Sequence, residues 1–197
     1  FLYQITNRMH LVELNVLPMT LVDRALPFIP ETIWIYFTEY LIFIVSWVAL
    51  DDPMERTKYW YSYMGILMVS TVIFVLWPTT FPRESFPLDG FPGGISKSAF
   101  EYFRAQMDTP ANCLPSLHVS SCFIASFVFW KVSKPKFWFF LVWAIAVAIS
   151  TMTTKQHYFI DVWTAILLTV ASYYYFYFCV SYSSARDRAQ SFKALVE

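Results

Sequence analysis

The chain has 197 residues, of which 57% are hydrophobic, 21% aromatic and only 14% charged. A soluble domain is about 45–50% apolar and about 25% charged, so the excess excludes intrinsic disorder, and four glycines exclude a collagen-like chain. Fourteen Lys and Arg balance fourteen Asp and Glu, so the chain lacks the net positive charge expected of a nucleic-acid binder.

A bilayer core about 30 Å thick takes about 20 mostly apolar residues to cross as a helix. In chain order, residues 1–6 (FLYQIT) fit the tail of an earlier, sixth span. Residues 32–50 form the first complete span, with Glu39 as its single charge. Glu39 is read as a buried hydrogen-bond partner between helices, with its role open. The spans that follow are 59–77, 116–133, 137–154 and 162–182, of which only 116–133 holds a charge, Lys131 near its end. Tyr59, Trp60, Tyr61, Trp77, Trp130, Trp138 and Tyr158 crowd their ends as an aromatic belt. The expected fold is therefore an all-α polytopic bundle of five spans, a single integral-membrane domain over residues 1–197.

Alternating spans divide the loops between two faces. One face receives 7–31, the long loop 78–115 and the turn at 155–161. The other receives 51–58, 131–136 and the tail from 183. The second face holds Arg56, Lys58, Lys131, Lys134, Lys136, Arg186, Arg188 and Lys193 in short segments. The first holds Arg8, Arg24, Arg83, Lys97, Arg104 and Lys155, spread over long ones. By the positive-inside rule the second face is cytoplasmic, and the 78–115 loop is non-cytoplasmic.

Three cysteines, Cys113, Cys122 and Cys179, form no disulfide framework, and no Cys/His spacing suggests zinc. Polar groups beside spans carry the functional signal. Two of the three histidines lie at the non-cytoplasmic ends of spans; His10 is assigned no chemical role. The first cluster is Cys113-Leu114-Pro115-Ser116-Leu117-His118. Pro115 at a first helical position would leave the N–H groups of Ser116, Leu117 and His118 pointing out of a helix N-terminus, a ready anion site. Set against this is a plain Pro-Ser helix start with an interfacial histidine. The second cluster, Ser150 to Asp161, reads STMTTKQHYFID. His157 and Asp161 are four apart, so a helix would put them on one face, where a carboxylate sets the imidazole tautomer. Ser150, seven before His157, shares that face if the helix runs unbroken. The alternative is an interfacial ion pair that closes a turn. The third feature is Arg83, just past Trp77-Pro78, a residue type suited to a multidentate hold on phosphate or to anchoring a lipid headgroup.

Together these residues resemble the type 2 phosphatidic acid phosphatase superfamily, which includes lipid phosphate phosphatases, vanadium haloperoxidases and phosphorylceramide synthases. Pro115-Ser116-Leu117-His118 matches the family's Pro-Ser-x-His motif. Ser150, His157 and Asp161 match the spacing of its last motif, and Arg83 matches the arginine of its first. Leu76 stands where the family has a lysine, Glu84 where it has proline, and Thr151 where it has arginine. Lys155, Lys97 and Arg104 are candidate substitutes for the missing cations.

The resemblance implies a metal-independent, cofactor-free phosphoesterase acting on a lipid phosphate or diphosphate. His157 would be the nucleophile that forms a phosphohistidine, oriented by Asp161. His118 would be the general acid and then the base. Arg83, Ser116, the Leu117 N–H and Ser150 would hold the phosphoryl oxygens. The His-Tyr-x-x-Asp-Val form of residues 157–162 also resembles the synthase branch, so a lipid phosphotransferase is the alternative, and a non-catalytic transporter or scaffold with decayed motifs a third. The Ser98-Ala99-Phe100-Glu101 capping-box pattern places a loop helix over the site. The loop aromatics Phe86, Phe91, Phe100, Tyr102 and Phe103 then either meet a lipid tail or rest on the bilayer surface.

Overall fold

A computed structural model describes residues 6, 12–88, 94–104 and 111–182. The proposed tail of a sixth span, His10, Phe91 and the basic residues Arg8, Arg186, Arg188 and Lys193 fall wholly or largely outside the described residues.

The described chain is helical. A short α1 (Leu21–Ala25) and a 3-10 turn (Pro30–Thr32) lead into α2 (Ile33–Phe37) and α3 (Glu39–Ala49). Then come α4 (Pro53–Leu76), the loop helix α5 (Ile95–Tyr102), α6 (Leu117–Phe127), α7 (Lys134–Thr153) and α8 (Phe159–Tyr174), which passes into a π-helical turn at Tyr175–Cys179. Four of these stretches are long and apolar enough to cross a membrane: Pro30–Ala49, Pro53–Leu76, Lys134–Thr153 and Phe159–Cys179.

Local chemistry sets the ends. Asp52 caps α4 by accepting from the Met54 N–H at 2.8 Å, with Pro53 in its first turn. At the far end, Trp77 takes φ −146° and Pro78 follows, so the helix stops.

The expected span 116–133 takes a different form. Its helix is 11 residues, about 16 Å by helical rise, and turns continue it to Val132. This helix is the hub of the bundle: α3, α4, α7 and α8 all pack on it. Ser120, Cys122, Ile124, Ala125 and Ser126 are all buried. A central helix surrounded by four others needs small residues for close approach. Here they are serine and alanine, and serine hydroxyls bind across the interfaces. Ser120 Oγ donates to the Ala165 carbonyl at 3.3 Å, Ser172 Oγ to that of Ser62 at 2.7 Å, and Ser46 Oγ lies 3.0 Å from Tyr59 Oη. The outer faces keep large apolar side chains such as Met68, Val72, Phe139, Val142 and Trp163 exposed, as lipid contact requires.

The loops at one end of the bundle form a second, smaller core. The strands β1 (Asn15–Val16) and β2 (Thr79–Thr80) pair in parallel, and Thr79 also bridges to Asn112. Thr79 Oγ1 accepts from the Leu114 N–H at 2.9 Å. Leu17, Phe81, Cys113, Leu114 and Tyr158 pack together beneath this pairing. Each motif read in the sequence is thus flanked by a member of one cluster: Phe81 before Arg83, Cys113 and Leu114 before Pro115-Ser116, and Tyr158 after His157.

The loop helix starts earlier than its capping-box pattern predicts. Gly94 is the N-cap at φ +123°, where a side chain would be strained, and the Ser98 N–H already donates to the Gly94 carbonyl. Ser98 therefore sits inside α5 rather than capping it. The loop aromatics are also not spread on a surface. Phe100 and Phe103 are buried, Phe103 edge-on to Tyr36 at 5.0 Å and Phe100 edge-on to Phe28 at 6.2 Å, while Tyr102 is exposed.

Candidate active site

The α7–α8 connection delivers His157. Helix α7 ends at Thr153, and the chain turns back through Lys155, which takes φ +51°. The Thr151 carbonyl accepts from both the Gln156 and His157 N–H groups. The helix is therefore broken between Ser150 and His157, and those two side chains do not share a helical face. The Ser150 hydroxyl donates to the Val147 carbonyl at 2.7 Å. His157 likewise precedes α8, whose N-cap is Tyr158. The His157–Asp161 contact survives because Asp161 is an N3 residue folding back over the helix start. Its Oδ2 accepts from the Tyr158 N–H at 2.8 Å and lies 3.3 Å from His157 Nδ1. Both side chains are buried.

Helix α6 delivers His118. Ser116, not Pro115, borders the helix: Ser116 is the N-cap, and its Oγ accepts from the Val119 N–H at 3.3 Å. The Ser116 N–H is not available to an anion, since it donates to the Asp161 carbonyl at 3.3 Å. That bond ties the start of α6 to the start of α8. The Leu117 N–H, at the first helical position, has no acceptor within its helix. At the next residue, His118 Nδ1 lies 3.2 Å from His157 Nε2. On its other side, His118 Nε2 lies 3.5 Å from Glu39 Oε1. The buried Tyr36 ring meets the His118 ring edge-on at 5.2 Å. Four groups from three parts of the chain therefore stand in a row: Asp161, His157, His118 and Glu39.

The cations occupy the loop side. Arg83 begins a 3-10 turn (Arg83–Ser85), is buried, and lies over the Phe81 ring at 5.4 Å; Phe81 in turn packs on Tyr158 at 4.6 Å. Arg104 Nη1 donates to the Phe86 carbonyl at 3.0 Å, and its guanidinium faces the Phe100 ring at 4.7 Å. Its Nε and Nη2 are buried, with no hydrogen-bond partner among the described residues. Burial first, and then repulsion from Arg83, push the Arg104 guanidinium down to about 10. It remains charged at neutral pH. Lys155 Nζ donates to the Asp23 carbonyl at 2.6 Å and the Leu26 carbonyl at 2.8 Å, and burial lowers its pKa. Lys97 lies on α5, 4.0 Å from Glu101, part exposed. Of the three candidate substitutes, Arg104 is the one that lies near Arg83 with buried donors unmatched among the described residues.

Asp23 is a buried residue that the sequence reading passed over. It closes a capping box with Thr20, accepting from the Thr20 N–H at 2.8 Å and the Thr20 hydroxyl at 2.6 Å, and its Oδ1 accepts from the Phe159 N–H at 2.7 Å. Asp23 and Asp161 thus each satisfy one of the first amides around the α8 start. The visible signal is Thr20-x-x-Asp23, a capping pattern. Among the described residues no group of three or more His, Cys, Asp or Glu side chains is arranged to hold a metal ion.

A buried carboxylate on one nitrogen of an imidazole leaves the other nitrogen as nucleophile, and a second imidazole at 3.2 Å can exchange a proton with whatever that nucleophile attacks. No match to the chain was found among curated proteins or among solved structures. The family model of the PAP2 superfamily matches residues 19–175, a stretch that contains every member of the row and both arginines. The chain belongs to the PAP2 superfamily, that of the type 2 phosphatidic acid phosphatases, and with it to the phosphatases and related phosphotransferases.

Proposed function

We propose that this protein is an integral-membrane phosphohydrolase that releases inorganic phosphate from a lipid phosphate or diphosphate through a phosphohistidine, in a single domain whose site faces the non-cytoplasmic side. The observation that carries the reading is the row Asp161–His157–His118 at hydrogen-bonding distances, set at one end of a bundle with four helices long enough to cross a membrane. Asp161 holds the Nδ1–H of His157, so Nε2 attacks phosphorus. As the N–P bond forms, the P–O bond to the lipid breaks, and His118 Nδ1 gives its proton to the departing oxygen. A water then loses a proton to His118 Nδ1 and attacks phosphorus; the N–P bond breaks, and phosphate leaves. Arg83, Arg104, the Ser116 hydroxyl and the Leu117 N–H bind the phosphoryl oxygens as charge builds. The buried Nε and Nη2 of Arg104, unmatched among the described residues, support its inclusion in place of the lysine that Leu76 replaces.

Headgroup transfer is the second reading. In it an alcohol takes the place of water in the second step. It is favoured by Thr151, which stands at the family's arginine position and spends its hydroxyl on the Ala148 carbonyl at 2.8 Å. One assay separates the readings. Protein purified in detergent with EDTA is given phosphatidic acid, with and without a lipid alcohol. Vanadate-sensitive free phosphate, absent from His157→Ala, is the expected result. An acceptor-dependent product without free phosphate would move the assignment to the transferase, and activity surviving in His157→Ala would remove the phosphohistidine. Turnover of neither kind would return the chain to a transporter or scaffold.

A further inference from the structure

An acid inside a membrane span is costly, and it persists where it has a partner and a task. Glu39 is the single charge within residues 32–50 and is buried. Its position is built rather than incidental. The first span is broken at Thr38, between α2 and α3. Trp143 Nε1 donates to Thr38 Oγ1 at 2.7 Å, and Thr38 Oγ1 donates to the Ile35 carbonyl at 2.6 Å. Glu39 is thereby the first residue of α3, where its charge meets the positive end of that helix. Tyr36, one turn earlier, braces the His118 ring edge-on.

We propose that Glu39 is the positioning residue of His118, taking its Nε2–H so that Nδ1 is the nitrogen that carries the transferred proton. The inference rests on the reading of His118 as proton donor given above. A proton count follows from it. With the Nδ1–H of His157 directed to Asp161 and the Nε2–H of His118 directed to Glu39, the two facing nitrogens each present a lone pair. They stand 3.2 Å apart, a hydrogen-bond distance, and a hydrogen bond between two lone pairs needs one further proton. The two rings therefore share one imidazolium charge, held between two carboxylates. That is the protonation state the first chemical step consumes: the proton on His118 Nδ1 moves to the leaving oxygen, and His157 Nε2 is freed to bond phosphorus. Substrate binding separates the two rings, and each is then held in register by its own carboxylate.

Histidine-labelled protein in detergent micelles tests this with or without turnover, because only His10, His118 and His157 contribute nitrogen signals. Nitrogen-15 spectra are expected to show His118 protonated at Nε2 in the native protein and to lose that preference in Glu39→Leu. A native His118 with a bare Nε2 overturns the proposal even if Glu39→Leu does not fold, and so does an unchanged tautomer in a folded Glu39→Leu. Glu39→Gln, which keeps an acceptor without the charge, supplies a kinetic readout. On an alkyl lysophosphatidic acid, whose leaving oxygen needs a proton, kcat is expected to fall about tenfold or more. On 4-nitrophenyl phosphate, whose leaving group does not, the loss is expected to be about threefold or less. Equal losses on both substrates overturn the proton-delivery role. Native protein inactive on both overturns the phosphohydrolase reading instead, and the spectra still decide Glu39.

Discussion

His157 is reached from two sides, by Asp161 at 3.3 Å on Nδ1 and by His118 at 3.2 Å on Nε2, so its two nitrogens face different groups. Asp161→Asn keeps the shape but permits the wrong tautomer. It is expected to lower kcat by about 10³–10⁴, with KM changed far less, in steady-state kinetics on phosphatidic acid. A loss confined to KM would remove Asp161 from the orienting role. The cations make a contrast at the same scale. Arg104 has two buried donors without a partner among the described residues, whereas Lys97 has Glu101 and solvent. A charge-assisted hydrogen bond contributes about 1.5–3 kcal/mol. Arg104→Gln is therefore expected to raise KM by about tenfold or more, and Lys97→Gln to leave it within about twofold. The reverse order would place the phosphate on the outer face of α5.

The α7–α8 connection is the element that carries His157, and long-range contacts brace it besides its local ones. Lys155 reaches back to the Asp23 and Leu26 carbonyls, and Asp23 reaches forward to the Phe159 N–H. Asp23→Ala would leave that amide buried without an acceptor and release the Thr20 cap. Each such loss costs about 1–3 kcal/mol. Thermal unfolding in detergent is expected to show a clear drop in midpoint for Asp23→Ala, and Asp23→Asn, which keeps an acceptor, to restore part of it. Equal midpoints for Asp23→Ala and native protein would show that α1 does not brace the turn. The His-x-x-x-Asp pair was legible in sequence; the reason it works was not. Four-residue spacing suggested two side chains on one helix face, yet His157 lies outside α8 and the contact is made by a capping carboxylate. Likewise Pro115-Ser116 marked a helix start correctly. Only the fold shows that the Ser116 N–H is spent on Asp161 rather than left for an anion.

Across the whole molecule, the alternation of spans puts α5 and the site at one end and the α3–α4 and α6–α7 connections at the other. From the positive-inside count we propose that the second end is cytoplasmic. In a cysteine-free background in intact cells, Ser98→Cys on α5 is expected to react with a membrane-impermeant maleimide. Asp51→Cys, between α3 and α4, is expected to react only after permeabilisation. The opposite pattern would put the site in the cytoplasm. Composition and periodicity were enough to read an apolar helical bundle, because lipid exposure demands long uncharged runs whatever their neighbours are. Residue type and local spacing single out Arg83, Ser116, His118, His157 and Asp161 as candidates, and the fold brings the last four to one place. Tertiary structure alone decided that 117–127 is a short central hub, that Phe81, Cys113, Leu114 and Tyr158 bind the three motifs into one cluster, and that Glu39 faces His118. The physical reason is separation along the chain. Glu39 and His118 are brought together by helices packing through small residues, and no local propensity or period encodes which two distant residues that packing will bring face to face.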